Sequence, residues 1–305
     1  MLENKENEKV KVVFRGSFED TAENKTVIIE EGIEEITEDA FSGFLNLEKI
    51  VFPKSLLKIG HGAFANCKNL KSVEMNTGLL EIGDEAFSFC PSLTGVRMPD
   101  TVTRIGEGAF EGCASLTSLH ISESVYMIGA GAFAFCFNLT EVIVPDSCIL
   151  LEFNAFANCF SLEGIKLSDS MTLIDESTFE GCRSLRAVDL PLHLKSIGRR
   201  AFFGCSSLEF LILPIELLSI GFDAFAKCSS LKKIALPFAL KELEDEVFTS
   251  CDSLTEISYG GSREEWELLL SGKALTFPKS DLTPVTPRVS FLNLNKKEEG
   301  KKYEV

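Results

Sequence analysis

Histidine, positive charge and long apolar runs are scarce in this sequence, and each shortage argues against a class of function. The three His residues (His61, His120 and His193) are far apart and out of phase with one another, so they predict neither a metal cluster nor a catalytic triad. With 30 basic and 46 acidic side chains, the net charge of −16 repels phosphate backbones and argues against a nucleic-acid partner. Because no apolar run reaches the roughly 18 residues that a membrane helix needs, we expect no membrane span.

The start of the chain lacks the features of a secretory signal. Residues 1–9 mix Glu, Asn and Lys, without a basic segment followed by an apolar one. Taken as given, the sequence predicts a cytoplasmic protein. The alternative is a cell-surface or secreted protein from which a signal has been removed.

Phenylalanine is abundant, and ten of the 25 Phe residues recur with a fixed period of 23 residues. The members of this column are Phe41, Phe64, Phe87, Phe110, Phe133, Phe156, Phe179, Phe202, Phe225 and Phe248. A constant period in this range indicates one supersecondary unit that is copied and stacked into a solenoid. Solenoids usually offer an extended binding surface rather than a catalytic pocket.

Each repeat contains the pattern of a short strand. Leu208, Leu211 and Leu213 illustrate it: the last two alternate with polar positions in most copies, and Pro214 ends the strand. Two apolar residues form the returning half of the coil, and a Gly often follows them, where we expect a tight turn to need backbone freedom.

The stretch Leu208–Cys228 matches the pattern L-x-x-I-x-L-P-x-x-L-x-x-I-G-x-x-A-F-x-x-C almost letter for letter. The chain therefore resembles the BspA-like, treponemal-type class of leucine-rich repeat proteins. The resemblance implies an α/β-type, right-handed repeat solenoid with a parallel concave β-sheet, mostly short strands, and irregular or short-helical convex segments. It also implies bacterial or protist origin, with adhesion or host-protein binding in secreted members.

Four regions follow from this pattern. Residues 1–35 are predicted to form an acidic N-terminal capping repeat, in which Phe18 lies 23 residues before Phe41. Residues 36–258 hold the ten repeats. Residues 259–275 form a C-terminal cap in which the single Trp266 covers the last coil, and residues 276–305 form a polar, Pro-containing tail.

A second column consists of cysteines at the same period. Disulfide and zinc interpretations both fit poorly, because stacked side chains point in parallel and a straight column cannot surround one ion. We therefore expect buried thiols that act as small apolar fillers, with no cofactor. The column comprises Cys67, Cys90, Cys113, Cys136, Cys159, Cys182, Cys205, Cys228 and Cys251.

Exposed apolar residues interrupt the polar outer positions in the C-terminal third. Just beyond the strand, where earlier coils carry Lys54, Thr77, Asp100, Glu123, Asp146 and Asp169, three coils carry Leu192, Ile215 and Phe238. Together with Phe210, Ile212 and Ala235 on the strands they predict a partner-binding patch. The alternative is internal: the alternating segment 289–294 of the tail folds back across the patch.

A secondary patch is formed by Phe89, Phe135, Phe137 and Phe160, in loops near the Cys-bearing turn. Core packing of a wider loop is the simplest interpretation, and a lateral contact or a dimer seam is the alternative. The sequence as a whole predicts a non-enzymatic, protein-binding scaffold or adhesion-type protein. Two alternatives stay open: a self-associating structural protein, and a binder of a small apolar ligand near Phe210 and Phe238.

Overall fold

The computed structural model describes residues 12–22, residues 25–270 and the backbone of residues 288–291. Short strands alternate along the chain: β1 (Val12–Val13), β2 (Thr26–Ile28), β3 (Glu35–Ile36), β4 (Lys49–Val51), β5 (Lys58–Ile59), β6 (Ser72–Glu74), β7 (Glu81–Ile82), β8 (Gly95–Arg97), β9 (Arg104–Ile105), β10 (Ser118–His120), β11 (Met127–Ile128), β12 (Glu141–Ile143), β13 (Leu150–Leu151), β14 (Gly164–Lys166), β15 (Leu173–Ile174), β16 (Ala187–Asp189), β17 (Ser196–Ile197), β18 (Phe210–Ile212), β19 (Ser219–Ile220), β20 (Lys233–Leu236), β21 (Glu242–Leu243), β22 (Glu256–Tyr259) and β23 (Arg288–Phe291). Within these ranges, α1 (Arg263–Leu269) is the only helix.

The strands form two parallel ladders, so each coil contributes one strand to each. Even-numbered strands pair in the orders β2-β4-β6-β8-β10, β12-β14-β16 and β18-β20-β22, and odd-numbered strands in the orders β1 to β13 and β15 to β21. Paired residues lie one repeat length apart in the sequence: Val27, for example, pairs with Ile50, 23 residues later. The chain is therefore a parallel-strand β-solenoid of about 11 turns.

The returning half of the coil differs from the sequence-based expectation. It is predicted as irregular or short-helical, but the odd-numbered strands pair there too. With α1 as the one helix of the described residues, the α/β part of the expected fold class is not confirmed. Two-residue strands carry too little periodicity to be recognised in a sequence.

The repeated Phe side chains form the centre of the core. All ten are at most 1% exposed. Successive rings stack nearly parallel, from 4.9 Å between the centroids of Phe41 and Phe64 to 6.1 Å between those of Phe156 and Phe179. One continuous apolar column therefore runs through the stack, as the period predicts.

The cysteine column is buried and unpaired, and its thiols do more than fill space. Each Sγ lies within hydrogen-bond distance of the backbone carbonyl of the Phe in the preceding coil, for example 3.2 Å from Cys159 to Phe133. Burial raises the pKa of the Cys113 and Cys159 thiols to about 12. These cysteines are therefore neutral hydrogen-bond donors that connect one coil to the next.

Six of the ten coils carry Gly at the same position in the returning half, for a reason other than the predicted one. The backbone of Gly106 is not left-handed. Instead, a Cβ at Gly106 would lie 2.4 Å from the backbone nitrogen of Asp84 in the preceding coil. The expectation of turn freedom is therefore wrong for the six coils that carry Gly here, where close approach of two backbones leaves no room for a Cβ. The other four coils carry Thr37, Glu152, Asp175 and Glu244 at this position.

Left-handed backbone occurs two residues before each repeat Phe, with φ between 53° and 60°. The residues in this conformation are Asp39, Gly62, Glu85, Gly108, Gly131, Asn154, Ser177, Arg200, Asp223 and Glu246. Only three of the ten are glycines, so seven coils hold a side chain in a conformation that costs free energy.

Both ends of the solenoid are covered by aromatic side chains. The Phe18 ring lies 5.2 Å from that of Phe41, and the Trp266 ring of α1 lies 5.5 Å from that of Tyr259. Strand β23 of the tail pairs in parallel with β22, and so extends the sheet past the last repeat. Residues 292–294, the rest of the segment expected to cross the patch, lie outside the described residues. The four-region division stays a prediction.

Candidate partner-binding surface

The even-numbered ladder is interrupted twice, between β10 and β12 and again where the sequence places the apolar patch. Among the described strands, β16 pairs with β14 and β18 pairs with β20, but β16 and β18 do not pair with each other. The inward-facing Val188 and Leu190, in the coil of β16, are consequently only half-buried. Their counterparts in the coil of β18, Leu211 and Leu213, are buried. The interruption opens a groove of about 780 Å³ between the two strands.

Four of the six predicted residues line this groove. Leu192, Phe210, Ile212 and Ile215 are between 57% and 88% exposed. Side chains this apolar are seldom so exposed together on a protein surface, and such patches are typical of contact sites.

The other two predicted residues lie beside the groove. Ala235 is exposed and pairs in register with Ile212. Phe238 is 60% exposed and lines a second hollow of about 520 Å³, together with Tyr259 and the cap residue Leu268. We name the six residues the apolar patch.

Charged side chains and one histidine border the groove. Arg186, Asp189, His193 and Glu216 are among its lining residues. Glu216 contacts Lys195 at 2.5 Å and the His193 ring at 3.3 Å, and these two contacts lower the pKa of its carboxyl group. An apolar floor with a charged border is the usual composition of a protein-recognition surface.

The secondary patch is only partly assembled. Phe137 and Phe160 stack with centroids 4.8 Å apart, and Phe135 meets Phe137 edge-on at 6.2 Å. Arg183 lies 4.6 Å from the centroid of the Phe160 ring. Phe89, in an earlier coil, is half exposed and packs against the backbone of Gly112. Since Phe89, Phe135 and Phe137 are all well exposed, a core role does not describe them, and a lateral contact stays a prediction.

A third hollow was not predicted from the sequence. It measures about 300 Å³ and includes Glu85, Glu107, Glu111 and Glu180, with Phe135 and Phe153 beside them. Burial, and then the charges of Glu85 and Glu107, raises the pKa of Glu111. Glu85 and Glu107 occupy different positions in the repeat, and Glu111 and Glu180 share one position but lie three coils apart, so comparison of single columns does not bring the four together.

Groups that could perform chemistry do not converge in the part of the chain described here. No cluster of His, Cys, Asp or Glu there has the arrangement of a metal site. His193 contacts Glu216 of the next coil. None of the helices in this part is both long and apolar enough to cross a membrane.

These features define a class of protein: a parallel β-solenoid built from leucine-rich repeats. The model of the BspA-type leucine-rich repeat region, in six copies, matches residues 5–116, 34–163 and 150–267. The chain therefore belongs to the BspA-type leucine-rich repeat family, as its repeat pattern indicates. No curated protein matches the chain.

Two of the solved structures that resemble this chain illustrate the shared fold. A leucine-rich repeat protein from Bacteroides ovatus is 24% identical, with a TM-score of 0.50, 92% of this chain and 87% of that one covered. The pneumococcal vaccine antigen PcpA is 22% identical, with a TM-score of 0.58, 87% of this chain and 75% of that one covered. These similarities show the fold alone.

Proposed function

We propose that this protein is a non-enzymatic scaffold that binds a protein partner through the apolar patch, on the concave side of a right-handed solenoid. The observation that carries the proposal is the groove between β16 and β18, where Phe210, Ile212 and Ile215 are exposed beside half-buried inward residues. Burial of those side chains in a complex would supply the apolar centre that protein interfaces need, with the bordering charges as the polar rim.

The test is site-specific crosslinking in cells of the source organism. A photo-reactive phenylalanine derivative replaces Ile212, and in a control protein it replaces Ile143, which has the same strand position three coils earlier and is 65% exposed. We expect a discrete adduct with another protein from position 212 alone. The same adducts from both positions, or none from either, would contradict the proposal.

A second candidate is supported by the groove itself, since about 780 Å³ is within the size range of small-molecule sites. In that case a fluorescent apolar dye should bind the purified protein with one-to-one stoichiometry, and Phe210→Asp should abolish the binding. Self-association is the remaining alternative, and light scattering would then give twice the mass of the chain.

For the compartment, we propose the cytoplasm, with the cell surface as the alternative. The supporting observation is that all ten cysteines are free and buried, which suits a reducing environment. Protease added to intact cells should then leave the protein uncleaved, whereas a surface protein would be degraded.

A further inference from the structure

The surface beside the even-numbered strands changes from acidic to apolar along the stack of coils. One position, just beyond the strand, is exposed in seven successive coils and changes from acidic to apolar. We call it the rim row, and it consists of Asp100, Glu123, Asp146, Asp169, Leu192, Ile215 and Phe238. The even-numbered ladder is broken twice within the row, but at both breaks the odd-numbered strands of the same coils are paired (β11 with β13, β17 with β19). The coils therefore stay in register, and these side chains follow one line along the solenoid axis.

The acidic half of the rim row is not neutralised from within. Within residues 12–22 and 25–270, none of its four carboxylates is in an ion pair, and Asp169 accepts a hydrogen bond from the backbone N–H of Leu192 at 3.3 Å. Other surface carboxylates are paired, such as Glu48 with Lys71. Four unpaired like charges in adjacent coils make this stretch a strong attractor for cations.

Two basic residues restrict where a cationic partner can lie. Arg97 and Lys166 are exposed on β8 and β14, three residues before Asp100 and Asp169 respectively. Glu141 is the single exposed acid on β8, β10, β12 and β14, so these strands carry a net positive charge that opposes a cationic partner over the middle of the sheet. The favourable position is therefore the rim row itself.

The apolar half continues the same line into the groove. Leu192 and Ile215 are 67% and 82% exposed and line the groove, and Phe238 is 60% exposed in the next coil. A partner that follows the row therefore meets four carboxylates and then three apolar side chains, without changing direction.

The spacing of the row selects the conformation of the partner. Paired parallel strands lie about 4.8 Å apart, so the six steps of the row, two of which lie between unpaired strands, span at least about 29 Å. On an α-helix, residues three and four apart rise by about 4.5 and 6.0 Å, close to one coil, and 29 Å corresponds to about 19 residues. Same-face residues of an extended peptide are about 6.8 Å apart, which drifts out of step within a few coils.

We propose that the rim row is the docking site for an amphipathic helix of a partner protein, about 19 residues long. Its contact stripe carries Lys or Arg over Asp100 to Asp169, and Leu, Ile or Phe over Leu192, Ile215 and Phe238. The inference rests on the proposed scaffold function and specifies the chemistry of the partner. Charge complementarity orients the helix, and burial of the apolar half holds it.

The test measures fluorescence anisotropy with two synthetic helical peptides of equal length and composition. In the first, the Lys residues of the stripe occupy one half and the Leu residues the other; in the second, Lys and Leu alternate along the stripe. We expect the first peptide to bind the full-length protein at least tenfold more tightly, and its affinity to fall with salt.

Protein variants locate the contact. Glu123→Lys should weaken binding of the first peptide about three- to tenfold, and Ile215→Asp about tenfold or more. Asp252→Lys is the matched control, because it makes the same charge change at an exposed acid outside the row, and it should change the affinity less than twofold. Equal binding of both peptides, or insensitivity to Glu123→Lys and Ile215→Asp, would overturn the proposal.

Two other occupants of the rim row, the C-terminal tail and a second copy of the chain, would give different experimental results with the same protein. Carbodiimide crosslinks from the tail lysines (Lys296, Lys297, Lys301 or Lys302) to rim-row carboxylates would assign the row to the tail instead. A doubled mass that Ile215→Asp reduces to that of one chain would assign it to a second copy. If the peptides fail while the Ile212 crosslink to another protein persists, helix docking is refuted and the scaffold function stands.

Discussion

Replacement of Gly106 by Ala tests the close approach of neighbouring coils. The added Cβ would lie 2.4 Å from the backbone nitrogen of Asp84. Ordinary contacts begin about 1 Å further out, and the atom in the way belongs to the backbone, so the coils must separate locally. Overpacking of this kind costs up to about 3 kcal/mol.

A matched control is present in the same stretch of chain. A Cβ at Gly95 on β8 would meet its nearest neighbour, the Cβ of Ser118, at 3.7 Å, which is ordinary contact. Gly95→Ala should therefore be neutral or stabilise the fold by about 0.5 kcal/mol, since it restricts the unfolded chain. Both changes add one methyl group, so the difference between them isolates the clash.

The assay is urea unfolding followed by circular dichroism, with the three proteins compared side by side. We expect the midpoint of Gly106→Ala to fall clearly below those of the parent and of Gly95→Ala. Some coils carry a larger residue at the position of Gly106, and its side chain can form a hydrogen bond to the neighbouring coil. Glu152, for example, accepts a hydrogen bond from the backbone N–H of Ala130, which an Ala side chain could not do. Indistinguishable midpoints for the two variants would refute the close-approach argument.

Three further changes probe the repeat at other positions. Glu246 has a left-handed backbone (φ 60°), which Gly adopts without strain, so Glu246→Gly should stabilise the protein by about 1 kcal/mol. Glu242→Gly on strand β21 is the control and should destabilise the protein. Equal shifts of the urea midpoint in the two variants would contradict the strain at Glu246. Phe156→Ala should cost about 3–5 kcal/mol and the half-exposed Phe153→Ala less than about 1 kcal/mol, again by urea midpoints. Because burial raises the folded-state pKa of Cys113 and Cys159 to about 12, their contribution to stability is complete below the unfolded pKa of about 8.5 and is lost as the pH rises towards about 12. Unfolding midpoints that do not fall between about pH 8 and pH 10.5 would contradict this account.

Most of the fold could be predicted from the sequence because one unit is repeated with a constant period. The repeated Phe residues (Phe156 among them) and the repeated Cys residues (Cys159 among them) are buried, as their fixed positions in the repeat predict. The role of Gly106 could not be predicted, since it depends on the distance between two coils, which a single repeat does not specify. The interruption between β16 and β18 could not be predicted either, because β18 keeps the same inward pattern as its paired neighbours.

The division between invariant and variable positions explains why a binding surface can be placed anywhere along this solenoid. The core columns interact only with adjacent coils, so an outward residue such as Ile212 is free to vary without disturbing Leu211 beside it. Ile212 is 88% exposed and Leu211 is 6% exposed, although they are neighbours on β18. Substitutions in the apolar patch and the rim row should therefore affect binding while leaving the unfolding midpoint nearly unchanged. That separation lets the surface variants report on recognition rather than on folding.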